Sequence, residues 1–361
     1  MQTDVLLADW DDAAAAALSA ACGARATADV YGPAARFEDS AGPADDGLAV
    51  PLPDLGLLVA GGADAASFLH GQLTNDVEQL GAGEARWYGY CTPQGRMLGL
   101  LLGWRDADQI VLCTSRTLSA ALRKRLAMYV MRAKARIEDR SNEMAIFGLA
   151  GARVPAALAA LGLPAPAPMA VAGDGALTVV GLAPAALASE CPRWLLGAPA
   201  ARAGEIWQIL AAGLAPASSE RWRRLDILAA TPRIVAVTAN RYLPQTLNLD
   251  LVGGVNFQKG CYPGQEVVAR THYRGTAKRR MYRGQAAGDE PAPLSDIMAG
   301  TATEPVGTVI MAAPRPGGGA DLLFEAQTSA VSQSLEPGAA PLRVAGREIS
   351  IELLVPLTEA G

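Results

Sequence analysis

Residues 256–275 read NFQKGCYPGQEVVARTHYRG, and this stretch carries the most distinctive pattern of the chain. Within it, Cys261 and Tyr262 are bracketed by Gly260, Pro263 and Gly264. Glycine and proline turn a backbone sharply, because glycine adopts positive φ freely and proline has a fixed φ. The pattern therefore predicts a tight turn that presents a thiol and a phenol at a surface.

Positive charge surrounds the predicted turn. Lys259 precedes the cysteine, and Arg270 and Arg274 follow it. A cysteine becomes nucleophilic as the thiolate, a form that nearby cations favour. The residues alone also fit a small cysteine buried in a glycine turn, and both interpretations stay open at this point.

The string KGCYPGQE at 259–266 resembles the KGCYxGQE signature of the YgfZ family. Members of that family bind folate, maintain iron-sulfur clusters and are related to the T-protein of glycine cleavage. Three further stretches are similar to segments of the family: GADAASFLHGQLTNDV at 62–77, YCTPQGRMLG at 90–99 and LPQTLNLDLVGGVNFQKG at 243–260. Together these stretches carry the resemblance from about residue 55 to the C-terminal region.

The resemblance implies an α+β protein with a three-part fold around a central hole. One part is a ferredoxin-like αβ region, and another is a small C-terminal β-barrel. The expected division is a peripheral segment at 1–50, a folate-binding region at 51–279 with discontinuous boundaries near 80 and 215, and the barrel at 280–361. Short strands between glycine- and proline-rich turns after residue 280 independently indicate an all-β module.

The function implied by the resemblance is that of a folate-dependent accessory factor. It assembles or repairs iron-sulfur clusters and so supports tRNA-modifying iron-sulfur enzymes indirectly. The expected cofactor is tetrahydrofolate or a derivative, with a transient iron-sulfur cluster as a second candidate. The expected partners are folate and iron-sulfur client or assembly proteins, with at most weak contact to tRNA and none to a membrane.

The resemblance and the chemistry of the residues together define two sets of candidate site residues. Cys261 is the expected reactive thiol, with Lys259 and Tyr262 beside it. A pterin needs an aromatic or apolar wall with a few hydrogen-bonding groups, and its glutamate tail needs cations. The expected folate-binding residues are Trp222, Asn248, Asp250, Gln265, Glu266 and Arg270, and no metal ligands are expected.

Two positions depart from the family pattern. Leu55 stands where relatives carry a second folate-stacking tryptophan. Residues 227–232 read ILAATP, whereas relatives read IEAGxP with a glutamate placed to bind the pterin. Leu228 cannot accept a hydrogen bond. Asp226 or Asp250 would then have to supply the acceptor.

Two other functions compete with this interpretation. Aminomethyltransferases carry an acidic pair in the hairpin that corresponds to 90–99, where a carboxylate assists the reaction. Residues 95–100 read GRMLGL and contain no carboxylate. Direct RNA binding is the second alternative, because residues 116–136 hold seven basic residues and no acidic one, and residues 278–283 add Lys278, Arg279, Arg280 and Arg283.

Composition limits the remaining possibilities. The 361 residues are 50% hydrophobic and 19% charged, with a net charge of -5, which excludes disorder for most of the chain. No apolar run approaches the roughly 18 to 20 residues that span a bilayer, and the acidic N-terminus is unlike a secretory peptide, so a cytoplasmic protein is expected. The five cysteines form no C-x-x-C pair, and only His70 and His272 occur, which argues against a disulfide framework and a histidine-rich metal site.

Local patterns predict several elements. An apolar run from Leu55 predicts a buried strand, followed by a helix over 65–73. The turn signal at 92–95 predicts a β-hairpin of 87–91 and 97–104. Leu118, Leu122, Leu126 and Val130 recur every four residues and predict an amphipathic helix with a basic outer face. A peripheral helix is expected in the alanine-rich N-terminal segment, with a loop at 40–47.

Overall fold

The structure, a computed structural model, describes residues 12–38, 46–187, 189–273, 277–300 and 302–354. The chain divides into two units that interleave along the sequence. The first unit takes residues 1–70, 76–86 and 101–222, and the second takes 71–75, 87–100 and 223–361.

The helices and strands are numbered in chain order. Up to residue 150 they are α1 Asp12–Ala21, β1 Arg25–Asp29, β2 Gly32–Arg36, β3 Leu48–Pro51, β4 Leu55–Gly61, α2 Ala65–His70, β5 Ala85–Cys91, β6 Met97–Asp106, β7 Gln109–Ser115, α3 Arg116–Val130, β8 Arg136–Asp139 and β9 Met144–Ala150. Up to residue 228 they are α4 Val154–Ala160, β10 Val171–Gly173, β11 Thr178–Ala186, β12 Glu190–Pro199, α5 Ala203–Ala211, β13 Ala215–Pro216 and α6 Ser219–Leu228. The rest are α7 Gln265–Tyr273, β14 Arg279–Ala286, β15 Asp296–Ala299, β16 Gly307–Pro314, β17 Ala320–Gln327, α8 Thr328–Ser334, β18 Leu342–Val344 and β19 Arg347–Glu352.

A six-stranded sheet of order β10-β11-β12-β9-β3-β13 belongs to the first unit. Its central strands are apolar on both faces: β9 reads MAIFGLA, and all but the first of these residues are buried. Helix α5 packs Ile206, Trp207 and Leu210 into the same core. The sheet is therefore one layer of an αβ core, because strands buried on both faces need other elements packed against them.

The first 50 residues, expected to be peripheral, contribute to that core. Leu18 of α1, Cys22 directly after that helix and Ala49 of β3 are buried with it. Strand β3 lies inside the six-stranded sheet, antiparallel to β9 and parallel to β13. The predicted helix is confirmed as α1. Of the loop expected at 40–47, residues 40–45 lie outside the described residues.

The second sheet has the order β5-β6-β7-β4-β8. The predicted hairpin is confirmed as β5 and β6, with the backbone N–H of Gly95 donating to the carbonyl of Thr92 at 2.9 Å. Helix α3 is also confirmed, with Leu118, Leu122 and Leu126 buried. Helix α2 ends at His70 rather than at residue 73, directly before Gly71.

The C-terminal module is a closed six-stranded barrel of order β14-β17-β16-β15-β18-β19, in which every strand pair is antiparallel. Its interior is filled by apolar side chains, among them Tyr282, Phe324 and Val309. The predicted β-barrel is confirmed, and so is the α+β class. Among the described helices, none is long and apolar enough to cross a membrane.

Candidate functional site

The candidate site lies in the second unit, where residues 71–75 are hydrogen-bonded to the segment that leads into the cysteine turn. The backbone N–H of Asn256 donates to the carbonyl of Thr74 at 3.0 Å. The Thr74 hydroxyl donates to the carbonyl of Gly254 at 2.7 Å, and the Asn75 amide donates to that of Gly253 at 2.8 Å. Thr74 and Asn75 of the GQLTND motif therefore fix the glycine pair that leads into the signature.

Lys259 is buried and links the cysteine turn to residues 71–75. Only 9% of the residue is exposed, and its Nζ donates to the carbonyl of Leu73 at 2.9 Å. The ammonium also lies 5.0 Å from the centre of the Tyr262 ring, within cation–π distance. The backbone N–H of Lys259 donates to the Asn256 side chain at 3.1 Å. This lysine is thus positioned by both its backbone and its head group.

Gly264 joins the signature turn to the β5–β6 hairpin turn. Its φ is +84°, and a Cβ placed there would lie 2.6 Å from Gly95 Cα. Gly95 itself has a φ of +75°, and a Cβ there would lie 3.1 Å from Val267 Cβ. Both positions require the backbone freedom of glycine and the space that a missing side chain leaves. The motifs at 90–99 and 259–266 therefore meet through two glycines.

Cys261 is the exposed member of the five cysteines, whereas Cys22, Cys91, Cys113 and Cys191 are buried. Burial raises the pKa of Cys91 to about 12, as it does for Cys22. Buried thiols stay protonated and inert at neutral pH. Among the five cysteines, Cys261 is therefore the one whose thiol is accessible for reaction.

Tyr262 departs from expectation, because its phenol is buried rather than presented at the surface. The residue is 7% exposed. Burial raises the pKa of Tyr262, and the nearby Cys91 raises it further. The prediction that the turn exposes both side chains is therefore right for the thiol and wrong for the phenol, since adjacent residues of the turn point to opposite sides.

Helix α7 begins at the end of the turn and carries three of the expected folate-binding residues. The Gln265 amide donates to the carbonyl of Lys259 at 3.5 Å, which closes the turn from its far side. Glu266 and Arg270 are exposed to solvent. Arg274 lies outside the described residues. The roles assigned to these side chains stay predictions.

An aromatic pair missed by the sequence analysis lies beside this helix. The rings of Phe257 and His272 stack with centroids 3.8 Å apart and planes 13° from parallel. Their spacing of fifteen residues gives no periodic signal. The pair joins the start of the signature stretch to the C-terminal end of α7.

Asn248 and Asp250 lie with Arg280 of β14 in a buried polar cluster of the second unit. Arg280 Nη1 donates to the Asp250 carboxylate at 2.7 Å and to the carbonyl of Gln245 at 3.0 Å. The Asn248 amide donates to the carbonyl of Met281 at 2.9 Å, and Asn248 has a φ of +57°. Within the described part of the chain, three buried atoms of this cluster have no hydrogen-bond partner: Gln245 Oε1, Asn248 Oδ1 and Arg280 Nε. The hydroxyl of Tyr282, near enough to Arg280 for the guanidinium to lower its pKa, has none either.

Trp222 belongs to the first unit and is 1% exposed. Its indole covers Gly148 of β9, where a Cβ would lie 2.5 Å from the ring, and the Arg193 guanidinium lies 5.3 Å from the ring centre. This is the environment of a core residue. Pterin stacking by Trp222 stays a prediction.

The substituted residues at 227–232 lie at the end of α6, which stops at Leu228, and in the turn that follows, not in a strand. Leu228 is buried, and its carbonyl accepts a hydrogen bond from Arg283 Nη1. The Asp226 carboxylate forms an ion pair with Arg233 at 2.7 Å. Asp226 and Asp250 are the two candidate replacements for the missing glutamate. Each carboxylate therefore already forms an ion pair with an arginine. Among the described residues, no group of three or more His, Cys, Asp or Glu side chains could hold a metal ion.

The whole fold matches that of a known class of protein. The glycine cleavage system aminomethyltransferase T from Bartonella henselae is similar with a TM-score of 0.75 and 15% sequence identity, over 95% of this chain and 96% of that one. At this identity the likeness defines the fold, which is that of the aminomethyltransferase T class. No protein-family model matches the chain.

Sequence relatives identify the family. Proteins named tRNA-modifying protein YgfZ are 35% identical over 252 residues in Vibrio vulnificus strain YJ016 and 38% identical over 232 residues in Edwardsiella ictaluri. The first match covers 69% of this chain and 74% of the relative, and the second covers 62% and 67%. The relative from Enterobacter sp. strain 638 is 33% identical, over 64% of this chain and 70% of its own. The chain belongs to the YgfZ family, as its signature indicates.

Proposed function

We propose that this protein is a folate-dependent accessory factor in iron-sulfur cluster assembly or repair, with the Cys261 thiol as its reactive group. The observation that carries the proposal is the exposed thiol on a turn whose neighbours are fixed. Lys259 is tied to Leu73, and Gly264 is packed on Gly95. A thiol placed on such a rigid turn can meet a partner without first being ordered.

The role in tRNA modification follows indirectly in this proposal. The relatives are named tRNA-modifying proteins. An accessory factor that keeps iron-sulfur enzymes active would affect tRNA through those enzymes. The thiol would act as a ligand to a transient cluster, as a redox partner or as a nucleophile towards a damaged product, and one experiment addresses all three roles because each needs the sulfur.

Replacing Cys261 with serine is expected to abolish function and leave the fold intact. Serine keeps the size and the turn geometry, and Cys261 is exposed, so little packing is lost. In a strain lacking the protein, the Cys261→Ser variant should fail to restore the activity of an iron-sulfur tRNA-modifying enzyme. Its thermal midpoint should match that of the unaltered protein.

The matched control is Gln258→Ser, which changes another exposed residue of the same stretch. This variant should restore activity fully. Iodoacetamide should label Cys261 in the folded protein and leave the four buried thiols unmodified. Full complementation by Cys261→Ser would overturn the proposal for the thiol. Folate-dependent ammonia release from an aminomethyl donor would instead support the aminomethyltransferase alternative.

The folate part of the proposal rests on the polar cluster around Arg280. A pterin edge carries both amino donors and a carbonyl acceptor. The unpaired atoms of the cluster offer the complement: Gln245 Oε1 and Asn248 Oδ1 accept, and Arg280 Nε donates. Buried polar atoms cost free energy until they are paired, so a bound pterin would relieve that cost. This complementarity supports a pterin as the ligand of the cluster.

Tyr282 gives the cleanest test of folate binding in this cluster. Burial raises the pKa of Tyr282 to about 12, while the nearby Arg280 lowers it. The hydroxyl has no partner in the described chain, so Tyr282→Phe removes no internal hydrogen bond and should leave stability unchanged or slightly raised. We expect it to weaken binding of a reduced folate about 2- to 10-fold, the value of one hydrogen bond, when measured by calorimetry.

Tyr242→Phe is the matched control for this measurement. Tyr242 is buried too, but its hydroxyl lies 3.4 Å from the Thr308 hydroxyl and 3.5 Å from the carbonyl of Val309. Its loss should lower stability and leave folate affinity unchanged. Equal folate affinities of the unaltered protein and Tyr282→Phe would remove Tyr282 from the binding site.

A further inference from the structure

A strongly basic surface runs along α3 and the loop that follows it, in the first unit. Helix α3 buries Leu118, Leu122 and Leu126, which turns the opposite side towards solvent. The exposed cations of this surface are Arg123, Lys124, Arg132, Lys134 and Arg136. Residues 116–136 contain no acidic residue, although the whole chain has a net charge of -5. We call residues 123–136 the α3 surface.

Most of this charge is not neutralised by the protein itself. Arg136 pairs with Glu138 at 2.7 Å. Within the described chain, no carboxylate lies within ion-pair distance of the Arg132 guanidinium or the Lys134 ammonium, and the same holds for the charged groups of Arg123 and Lys124. The Asp64 carboxylate accepts a hydrogen bond from the backbone N–H of Lys134 at 2.7 Å. Free cations that share one surface without acidic partners create a local positive potential, which attracts an anionic chain.

Apolar and aromatic side chains are interleaved with these cations. Met128, Tyr129 and Met131 are 61%, 47% and 87% exposed. The Arg125 guanidinium lies 5.8 Å from the centre of the Tyr129 ring. Cations alternating with an exposed ring are the elements that proteins use to bind a single-stranded polynucleotide, since the cations contact phosphates and the ring stacks on a base.

A cleft of about 440 Å³ adjoins the C-terminal end of the α3 surface. Lys134, Arg136 and Arg140 line it together with Gln109, Gly61 and Gly62, and so does Glu138, which pairs with Arg136 and Arg140. Its volume lies within the roughly 300–1,000 Å³ range of small-molecule sites. The amide of Gln109 can both donate and accept, as the edge of a nucleobase requires. Because Glu138 neutralises Arg136 and Arg140, the cleft offers the Lys134 ammonium for a phosphate and the Gln109 amide for a base.

We propose that the α3 surface binds a single-stranded polynucleotide, with its phosphates on Arg132 and Lys134, a base on Tyr129 and one nucleotide in the adjoining cleft. A lipid surface fits these features less well. Membrane-surface helices present a continuous apolar face, whereas here the apolar side chains alternate with cations beside a polar concavity. The inference is independent of the proposed role of Cys261, which lies in the other unit.

Fluorescence anisotropy with a labelled 12-nucleotide RNA, and with DNA of the same sequence, tests the proposal. The unaltered protein should bind in low salt, with affinity falling steeply as salt rises. Lys134→Glu combined with Arg132→Glu should weaken binding at least 10-fold. It should also flatten the slope of log K against log salt by about 0.7 for each phosphate that the double variant no longer neutralises. Comparing the two probes shows whether RNA, DNA or both supply the ligand.

Two further variants separate stacking from charge. Tyr129→Ala should weaken binding roughly 5- to 100-fold without changing the salt slope, because a stacking contact releases no counterions. Arg343→Glu, a charge reversal of a paired surface cation on the barrel, should leave binding unchanged. All of these side chains are at least partly exposed, so thermal midpoints should stay within a few degrees of the unaltered protein.

Three results would overturn the proposal. The first is no binding of either polynucleotide at 50 mM salt. The second is binding that Lys134→Glu with Arg132→Glu leaves unaffected. The third is a preference for anionic vesicles over polynucleotide that the same double variant abolishes. Because the Cys261→Ser variant should still bind the polynucleotide, failure at one site is distinguishable from failure at the other.

Discussion

Replacing Trp222 with alanine is expected to lower the free energy of unfolding by about 3–5 kcal/mol, the usual cost of truncating a buried tryptophan. Trp222 is 1% exposed, and its ring lies against the bare backbone of Gly148. Truncation would leave a cavity there and would also remove the ring under the Arg193 guanidinium. Urea unfolding followed by circular dichroism measures the loss, with an unchanged slope confirming that the transition is the same.

Gly148→Ala provides the complementary variant. A Cβ at this position would lie 2.5 Å from the indole ring, so alanine should overpack the contact and cost about 1–3 kcal/mol. In the double variant the added methyl group occupies part of the cavity left by the tryptophan. The two losses should therefore sum to more than the loss of the double variant. Strict additivity, or a loss below about 1 kcal/mol for Trp222→Ala, would show that the ring is not a core element.

This stability effect decides how folate binding should be tested at the same residue. Loss of folate binding by Trp222→Ala would follow from damage to the β9 strand as readily as from loss of a stacking partner. Trp222→Phe retains an aromatic ring over Gly148 and damages the core less. Comparing its folate affinity with its stability separates the two causes. The family resemblance implied the ligand contact, which stays a prediction, and the burial adds a structural role.

The elements predicted best from the sequence are those whose signal is local. The hairpin β5–β6 follows from a turn signal between two apolar runs, and α3 follows from leucines that recur every four residues. The strands of the N-terminal segment have no such signal. Strand β2 reads GPAAR, a composition that disfavours strands, yet it is buried in the structure. Tertiary contacts, which a local pattern does not contain, decide its state.

The site shows the same division between local and long-range information. The exposure of Cys261 follows from its glycine- and proline-rich turn. The burial of Tyr262 does not, because it depends on Cys91 and on Lys259, which is held by a carbonyl 186 residues earlier in the chain. The polar atoms of Gln245 and Arg280 were missed for the same reason. Their significance lies in having no partner, and only the folded arrangement reveals that.

The glycine contact between the two turns provides the second large effect. Gly264→Ala is expected to cost about 1–3 kcal/mol for a non-glycine residue at a φ of +84°. The clash of its Cβ with the hairpin adds about 1–3 kcal/mol more, since Gly95 Cα would lie 2.6 Å away. Chemical denaturation measures the total, and hydrogen exchange at the Gly95 amide reports whether the hairpin turn has opened.

Gly253→Ala is the matched control, because Gly253 has a similar φ of +71° but nothing within 4 Å of the place that an alanine methyl group would occupy. Both variants share the backbone cost, so the difference between them measures the contact with the hairpin. Gly264→Ala should also lose function while keeping its thiol, since the turn that positions Cys261 would shift. Equal stabilities for the two variants, with Gly95 exchange unchanged, would show that the hairpin does not position the cysteine turn.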